Sequence, residues 1–332
     1  MGSRIPMSRA SQLAPFLDFL GRAGARIELG LERHQLPPGL QANADTLIAA
    51  RAMSTFIEDM GRREGITDFG WLGSSRELAQ IPVMAPEIRR SQTLYQALKS
   101  VCALGTRESS NIGLWIEERE ESILLCFQRS VGVGAKDADE VSKMQVAVAL
   151  SIVRLFAAPD WTPTDCAFAI RSELGPIPRE ALGNARIRRA PDYSWLRLPR
   201  SILSRPLRVL PPDTTRSGIG PDPAQDLVGS LVQALGPLMA RGAPSLRDAA
   251  ELAGTSARTL QRELASAGCS YRDVLLGVKL DRARELLEKP DVKIADVAHE
   301  TGFTDPAHFT RFFRALSGVA PREYRTTHLA GP

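Results

Sequence analysis

Cysteine is scarce in this chain of 332 residues: Cys102, Cys126, Cys166 and Cys269 stand far apart, with no C-x-x-C pair and no His at ligand spacing. That pattern argues against structural zinc and for reduced thiols buried as small apolar side chains. Long apolar runs are missing too. No stretch of about eighteen apolar residues occurs, and Met1 to Ala10 carries Arg4 and Arg9 with no apolar segment behind them, so neither a membrane span nor a signal peptide is expected and the chain reads as cytoplasmic. The nucleophile elbow, the P-loop and the His-Glu-x-x-His pattern are likewise absent, which leaves no catalytic, cofactor or metal site to propose and no enzyme reading. An excess of one charge is also lacking. The net charge is +4 with a pI near 9.0, and from Asp226 onward 14 Lys and Arg face 13 Asp and Glu, a net of +1. Any nucleic-acid contact therefore depends on where the charges sit, not on a basic tail.

What is present is an ordinary soluble composition, 43% hydrophobic and 24% charged, over a length that suits two domains. Leu210 to Pro223 holds Pro211, Pro212, Asp213, Gly218, Gly220, Pro221 and Pro223, which disfavour both helix and ladder pairing. This predicts an α+β domain over 1–210, a linker over 211–225, and an all-α domain over 226–332. Within the first, Ser11 to Gly73 and Ser91 to Leu104 read as helices. Ile112, Leu114 and Ile116, then Ile123, Leu125 and Phe127, alternate about a polar turn and predict a hairpin. Asp137 to Ala157 reads as a helix with Val141, Met144, Val148, Ile152 and Leu155 at three-to-four spacing, followed by strands at Cys166 to Ile170, Ile187 and Tyr193 to Leu198. The acidic Glu117, Glu118, Glu120 and Glu121 fall in the hairpin turn and read as solvated.

The last hundred residues repeat a short grammar. An Ala is followed four residues on by a Gly, and six or seven further by an apolar residue inside an Arg-bearing helix: Ala250, Gly254, Leu260, and again Ala298, Gly302, Phe309. A small residue lets two helices cross closely, a Gly permits the tight turn, and the apolar residue pins the outer helix to its partner, as in a helix-turn-helix. Ser245, with Asp248 three residues on, can cap the first helix, and Asp305, just before Pro306, can cap the last of the four. Tyr271 to Leu287 is expected as a long helix between the copies. At 1.5 Å per residue it spans roughly 26 Å, which would let two outer helices approach successive major grooves about 34 Å apart.

The outer face of the first copy offers Ala257, Arg258, Gln261 and Arg262. Arg can bridge the two acceptors of guanine, and Gln can pair with adenine. The second copy offers Ala307, His308, Thr310 and Arg311 around Phe309, Phe312 and Phe313, all three expected to be buried, with Arg314 nearby. A short Ala at 307 predicts that the first copy carries more of the specificity.

From Ser245 to Arg325 the chain resembles AraC/XylS-type transcription regulators. The resemblance rests on Lys279, Leu280, Ala283, Leu287, Ile294, Ala295, Val297, Ala298, Gly302, Phe303, Phe309, Phe313, Gly318, Pro321 and Tyr324. It implies two helix-turn-helix motifs joined by a long helix, double-stranded DNA as partner, base contacts from Arg258, Gln261, Arg262, Ala307, His308 and Arg311, and RNA polymerase as a further partner if the protein activates. More loosely, the first two hundred residues resemble an arabinose-binding-like sensor domain of that family, through Phe69-Gly70-Trp71-Leu72-Gly73 and Ser194-Trp195-Leu196. That resemblance implies a small-molecule effector of diverse chemistry (organic acid, amino acid, lipid or cyclic dinucleotide), and a homodimer suits tandem operator sites.

Candidate effector contacts are Trp115, Arg186, Arg189, Trp195 and Arg197, because Trp can wall a pocket and Arg can grip an anion bidentately. The other reading makes the Trp residues core and the Arg run a solvated face. A DNA-binding module fused to a repair or other enzymatic domain, and a constitutive DNA binder without effector, are the alternative functions.

Overall fold

The computed structural model describes residues 4–74, 84–129, 139–208 and 220–329. Pro6–Pro223 form one unit, and residues 4 and 5 join Ala224 onward in the other. In chain order the first unit contains β1 (Met7–Arg9), α1 (Ala14–Arg22), α2 (Ile27–Arg33), β2 (Leu47–Ala49), α3 (Ala50–Arg63), α4 (Phe69–Ser74), α5 (Ala85–Arg90) and α6 (Leu94–Glu108). It continues with β3 (Ile112–Glu118), β4 (Ser122–Arg129), α7 (Asp139–Phe156), β5 (Asp165–Phe168), α8 (Pro176–Leu182), β6 (Arg186–Arg189), β7 (Ser194–Pro199) and α9 (Arg200–Leu203). Of the expected linker, residues 211–219 lie outside the described residues.

The alternating apolar residues form the predicted hairpin. Leu114 lies opposite Phe127 and Ile116 opposite Leu125, and the turn closes by Arg119 N–H donating to Ser122 O at 2.9 Å. The sheet order is β3-β4-β7-β5-β6, antiparallel except for the β5 and β6 pair. Parallel neighbours need a crossover, and α8 supplies it. Strand β5 stops at Phe168, short of the expected Ile170, because the Ala169 N–H donates to the Ser194 side chain at 2.9 Å instead of to a neighbouring strand.

Period-2 alternation divides the sheet into two faces. The inner face, with Leu125, Phe127, Cys166, Leu196 and Leu198, packs in one core with Leu98 and Val101 of α6 and Leu150, Val153 and Phe156 of α7. The outer face carries Trp115, Cys126 and Trp195 side by side in register, with Ala167 and Arg188 continuing the row.

One arginine among the described residues of this unit is wholly buried. Arg9, 0% exposed, donates to four carbonyl oxygens, those of Arg107, Asp45, Gly220 and Pro221, at 3.0 to 3.3 Å. A guanidinium offers five donors in a planar fork, which is why an Arg can satisfy several loops at once. It ties residues 220–221 to the α+β unit.

The second unit has helices and no strand among its described residues: α10 (Leu227–Leu235), α11 (Leu246–Leu252), α12 (Ala257–Ser266), α13 (Tyr271–Leu287), α14 (Ile294–Glu300), α15 (Pro306–Ser317) and α16 (Pro321–Leu329). Asp226 caps α10 through the Gly229 N–H, and the helix tightens to a 3-10 turn from Gly236, where Pro237 lacks a donor. Helix α13 is buried on two sides. At about 100° per residue, Val274 and Val278 fall on one side and Leu280, Ala283, Leu286 and Leu287 on the other, and all six are buried. Helix α10 packs against α13, with Val232 next to Gly277. The second group forms a core with Val297, Ala298, Phe303, Phe309 and Phe313.

Among the described residues no helix is long and apolar enough to cross a membrane.

Candidate nucleic-acid interface

The α11–α12 and α14–α15 pairs are built on the same turn. Gly254 (φ +67°) and Gly302 (φ +77°) occupy the left-handed region that residues with a Cβ enter only at a cost. In the first turn Thr255 N–H donates to Ala250 O at 2.9 Å and Gly254 N–H to Glu251 O at 3.0 Å. In the second, Phe303 N–H donates to Ala298 O at 2.8 Å and Gly302 N–H to His299 O at 2.9 Å. This paired pattern is the Schellman motif, which closes the carbonyls at a helix end and redirects the chain. The Ala of the repeated grammar therefore has two roles: its small side chain is buried (Ala250 2%, Ala298 1% exposed) and its carbonyl closes the turn.

The second helix of each pair begins on a side-chain cap. Ser256 accepts from Thr259 N–H at 3.1 Å, and Asp305 accepts from the N–H groups of Ala307 (2.9 Å) and His308 (3.2 Å), as its place before Pro306 predicts. The Ser245 and Asp248 capping box forms at α11. Ser270 with Asp273 makes an equal one at α13, a serine and carboxylate at the same spacing that the sequence reading passed over.

Helix α12 is pinned by Leu260 (0% exposed) and Leu264 (1%), four residues apart on one face. Arg258, Gln261 and Arg262 take the opposite face by the same three-and-four spacing. All three are exposed, and their side chains make no hydrogen bond or ion pair among the described residues; Ala257 is half-buried. Helix α15 is pinned by Phe309 and Phe313, both 0% exposed. Phe312, expected in the core, is only half-buried: it stands one residue off that face and packs on Phe303 with the rings tilted by 38° and their centres 4.7 Å apart.

Ala307, His308, Arg311 and Arg314 are exposed on α15. The His308 ring meets Phe303 edge to face at 5.3 Å, and Thr310 donates its hydroxyl back to Pro306 O at 2.8 Å. The guanidinium groups of Arg311 and Arg314, like those of α12, have no partner among the described residues, although neighbouring Arg282 and Arg284 pair with Glu285 and Asp281. Among the described residues, Arg258 and Arg262 on α12 and Arg311 and Arg314 on α15 thus stand on exposed faces without an intramolecular ion pair.

The residues considered for an effector divide. Trp115 and Trp195 flank Cys126 on the outer sheet face; the Trp115 ring meets Tyr193 at 5.0 Å, and the Arg197 guanidinium lies 5.7 Å over the Trp195 ring. The Trp115 indole N–H, donating at 3.1 Å, is the main influence holding the Glu117 carboxyl below its ordinary range; burial opposes it, and Tyr193 and Arg119 assist. Arg197 is also shared with Asp165 at 3.5 Å and Ser122 at 3.1 Å. Arg186 is exposed at the start of edge strand β6, and Arg189 at its end donates to Ser172 O at 3.1 Å. The structure thus brings Trp115, Trp195 and Arg197 onto one face and leaves Arg189 off it.

Paired helices joined by tight turns, each showing a capped, cation-bearing face to solvent, define a helix-turn-helix class of domain. Residues 249–327 match the helix-turn-helix domain family. Transcriptional activator NphR of Rhodococcus sp is 38% identical over 84 residues, 25% of this chain and 25% of that protein. The ornithine utilization regulator of Pseudomonas aeruginosa is 31% identical over 40% of this chain and 41% of its own length. HTH-type transcriptional regulator VirS of Mycobacterium tuberculosis is 23% identical over 96% of both chains. The chain thus spans well under two thirds of the first two. These relatives are named as transcription regulators, and the family match lies in the helix-turn-helix segment.

Proposed function

We infer that this chain is a sequence-specific regulator of transcription that places α12 and α15 in adjacent major grooves of double-stranded DNA, under the control of a small-molecule effector held by the α+β unit. The observation that carries the reading is the pair of matching Schellman turns, each followed by a capped helix with exposed Arg side chains, joined on α12 by Gln261, that have no partner among the described residues. Unpaired guanidinium groups suit guanine edges and phosphates, and Gln suits adenine. Helix α12 presents Arg258, Gln261 and Arg262, and α15 presents Ala307, His308, Thr310 and Arg311; the first set holds more groups able to read bases. Homodimerisation through the α+β unit would link two such readers, and contact with RNA polymerase would follow if the protein activates.

Selection of bound duplexes from a random pool tests the reading. On the selected sequence, Arg258→Ala or Gln261→Ala costs about 1–3 kcal/mol and relaxes preference at one base pair. Equal losses on selected and random DNA would contradict base reading. Footprinting shows protection over two neighbouring major grooves per protomer; protection of one alone means that one pair serves only the fold. For the effector, the outer sheet face with Trp115, Trp195 and Arg197 is one place to test, and an inducer response unchanged by Arg186→Ala with Arg189→Ala removes those two arginines from the effector contacts.

A further inference from the structure

Inside the α+β unit, between the inner face of the sheet and helices α6 and α7, lies a cavity of about 60 Å³. At roughly 10–15 Å³ per water that is room for about four to six water-sized groups. Its walls are apolar, with Leu114 and Phe127 from the sheet, Val101 from α6, and Ala149 and Ile152 from α7. Three polar side chains also line it: Gln12, Glu108 and Gln145, exposed by only 3%, 1% and 6%.

Two of these have an unused hydrogen-bonding atom. Gln12 donates its Nε2 to Glu108 O at 3.0 Å, but its Oε1 has no partner among the described residues; neither has Gln145 Nε2. Buried polar atoms in native proteins are nearly always satisfied, so an orphaned acceptor and an orphaned donor lining the same apolar cavity point to an occupant. The occupant must donate to Gln12 Oε1 and accept from Gln145 Nε2. No Lys or Arg lines the cavity, and the Glu108 carboxyl does, which leaves an anion without a cationic partner and beside an acid. A surface cleft flanked by Asp139, Ser142 and Arg171 shares Phe127 and Gln145 with the cavity and offers a way in.

We propose that this cavity binds a small uncharged molecule with a short aliphatic body and a head that both donates and accepts a hydrogen bond, such as a primary amide. The inference deepens the effector reading and rests on it for the regulatory consequence alone.

Titration calorimetry and thermal melts of the full chain with butanamide, butyrate and butylammonium compare three heads on one short body. Butanamide binds and raises the melting temperature; butyrate and butylammonium bind at least about tenfold more weakly, if at all. Gln145→Met keeps the length of the side chain and removes the orphaned donor, so it leaves the melting temperature of the unliganded protein unchanged or higher while weakening butanamide about tenfold or more. Gln12→Met, which also loses the bond to Glu108 O, repeats the loss of binding. Absence of butanamide binding, equal binding of all three heads, or unimpaired binding by both variants overturns the proposal. Retention of the selected duplex by the Gln145→Met protein separates the two readings: DNA recognition stands if the cavity proposal fails, and butanamide binding stands if DNA recognition fails.

Discussion

The turn at Gly302 supports a prediction whose size and sign both follow from backbone geometry. At φ +77° any residue with a Cβ meets the steric cost of the left-handed region, about 1–2 kcal/mol for Ala. A Cβ there would sit 3.4 Å from Lys279 Nζ, the far end of a flexible side chain that can move aside, so the backbone sets the magnitude. Gly302→Ala therefore destabilises the helical unit by about 1–2 kcal/mol, and Gly302→Val by more, since a β-branched residue tolerates this region least. Gly277→Ala is the internal control. That glycine lies within α13, its added Cβ would touch Val232 at an ordinary 3.7 Å, and the exchange gains helix propensity of about 1 kcal/mol.

The same chemical change thus has opposite signs at two glycines of one unit. All four tryptophans, Trp71, Trp115, Trp161 and Trp195, lie in the α+β unit, so their fluorescence follows that unit while far-UV circular dichroism also follows the helices beyond it. In denaturant titrations Gly302→Ala shifts the dichroism transition to lower denaturant and leaves the tryptophan transition in place, and Gly277→Ala shifts the dichroism the other way. Equal shifts for the two variants, or none for Gly302→Ala, would refute the reasoning.

Asp305→Ala removes the acceptor for the first N–H groups of α15 and costs about 1 kcal/mol in thermal melts, with Asp305→Asn recovering most of it. Alkylation of the folded chain, followed by peptide mass mapping, modifies Cys269 before Cys126 and Cys166: burial is the main cause that pushes both of those thiols up to about 12, helped by Glu117 and Asp165 respectively, whereas Cys269 is only partly covered. Early labelling of Cys166 would contradict this core. Burial opposes the charge on Asp139, but hydrogen bonds from Ser172 and from the Arg171 N–H outweigh it and lower the pKa. The folded value lies below the unfolded one of about 3.9, so the stabilisation is complete above that pH and is lost as pH falls through the lower folded value. Melts of Asp139→Asn show a flatter acid limb than the parent chain.

Local chemistry is what made much of this protein legible in sequence. The helix from Tyr271 to Leu287, the hairpin from Ile112 to Phe127, the caps at Ser245 and Asp305 and the turns at Gly254 and Gly302 depend on residues within a few positions of one another, and propensity, capping and a positive φ all act at that range. The outward set Arg258, Gln261 and Arg262 could be read for the same reason, because helical period alone places it opposite Leu260 and Leu264. Phe312 shows where that logic ends: it shares the composition of the core but stands one residue off its face.

The tertiary structure alone decided which distant groups meet. Arg9 and residues 220–221 are more than two hundred positions apart in sequence, and their hydrogen bonds have no local signature. The same holds for the cavity: Gln12, Glu108 and Gln145 look like unrelated polar residues along the chain, and only the packing of α6 and α7 on the sheet buries them together and leaves two of their atoms without partners. Sequence attention to Trp and Arg selected the sheet's outer face and edge, because large and charged residues stand out there. An interior site made of ordinary apolar residues and three buried polar ones becomes visible only when burial and hydrogen bonding are counted atom by atom.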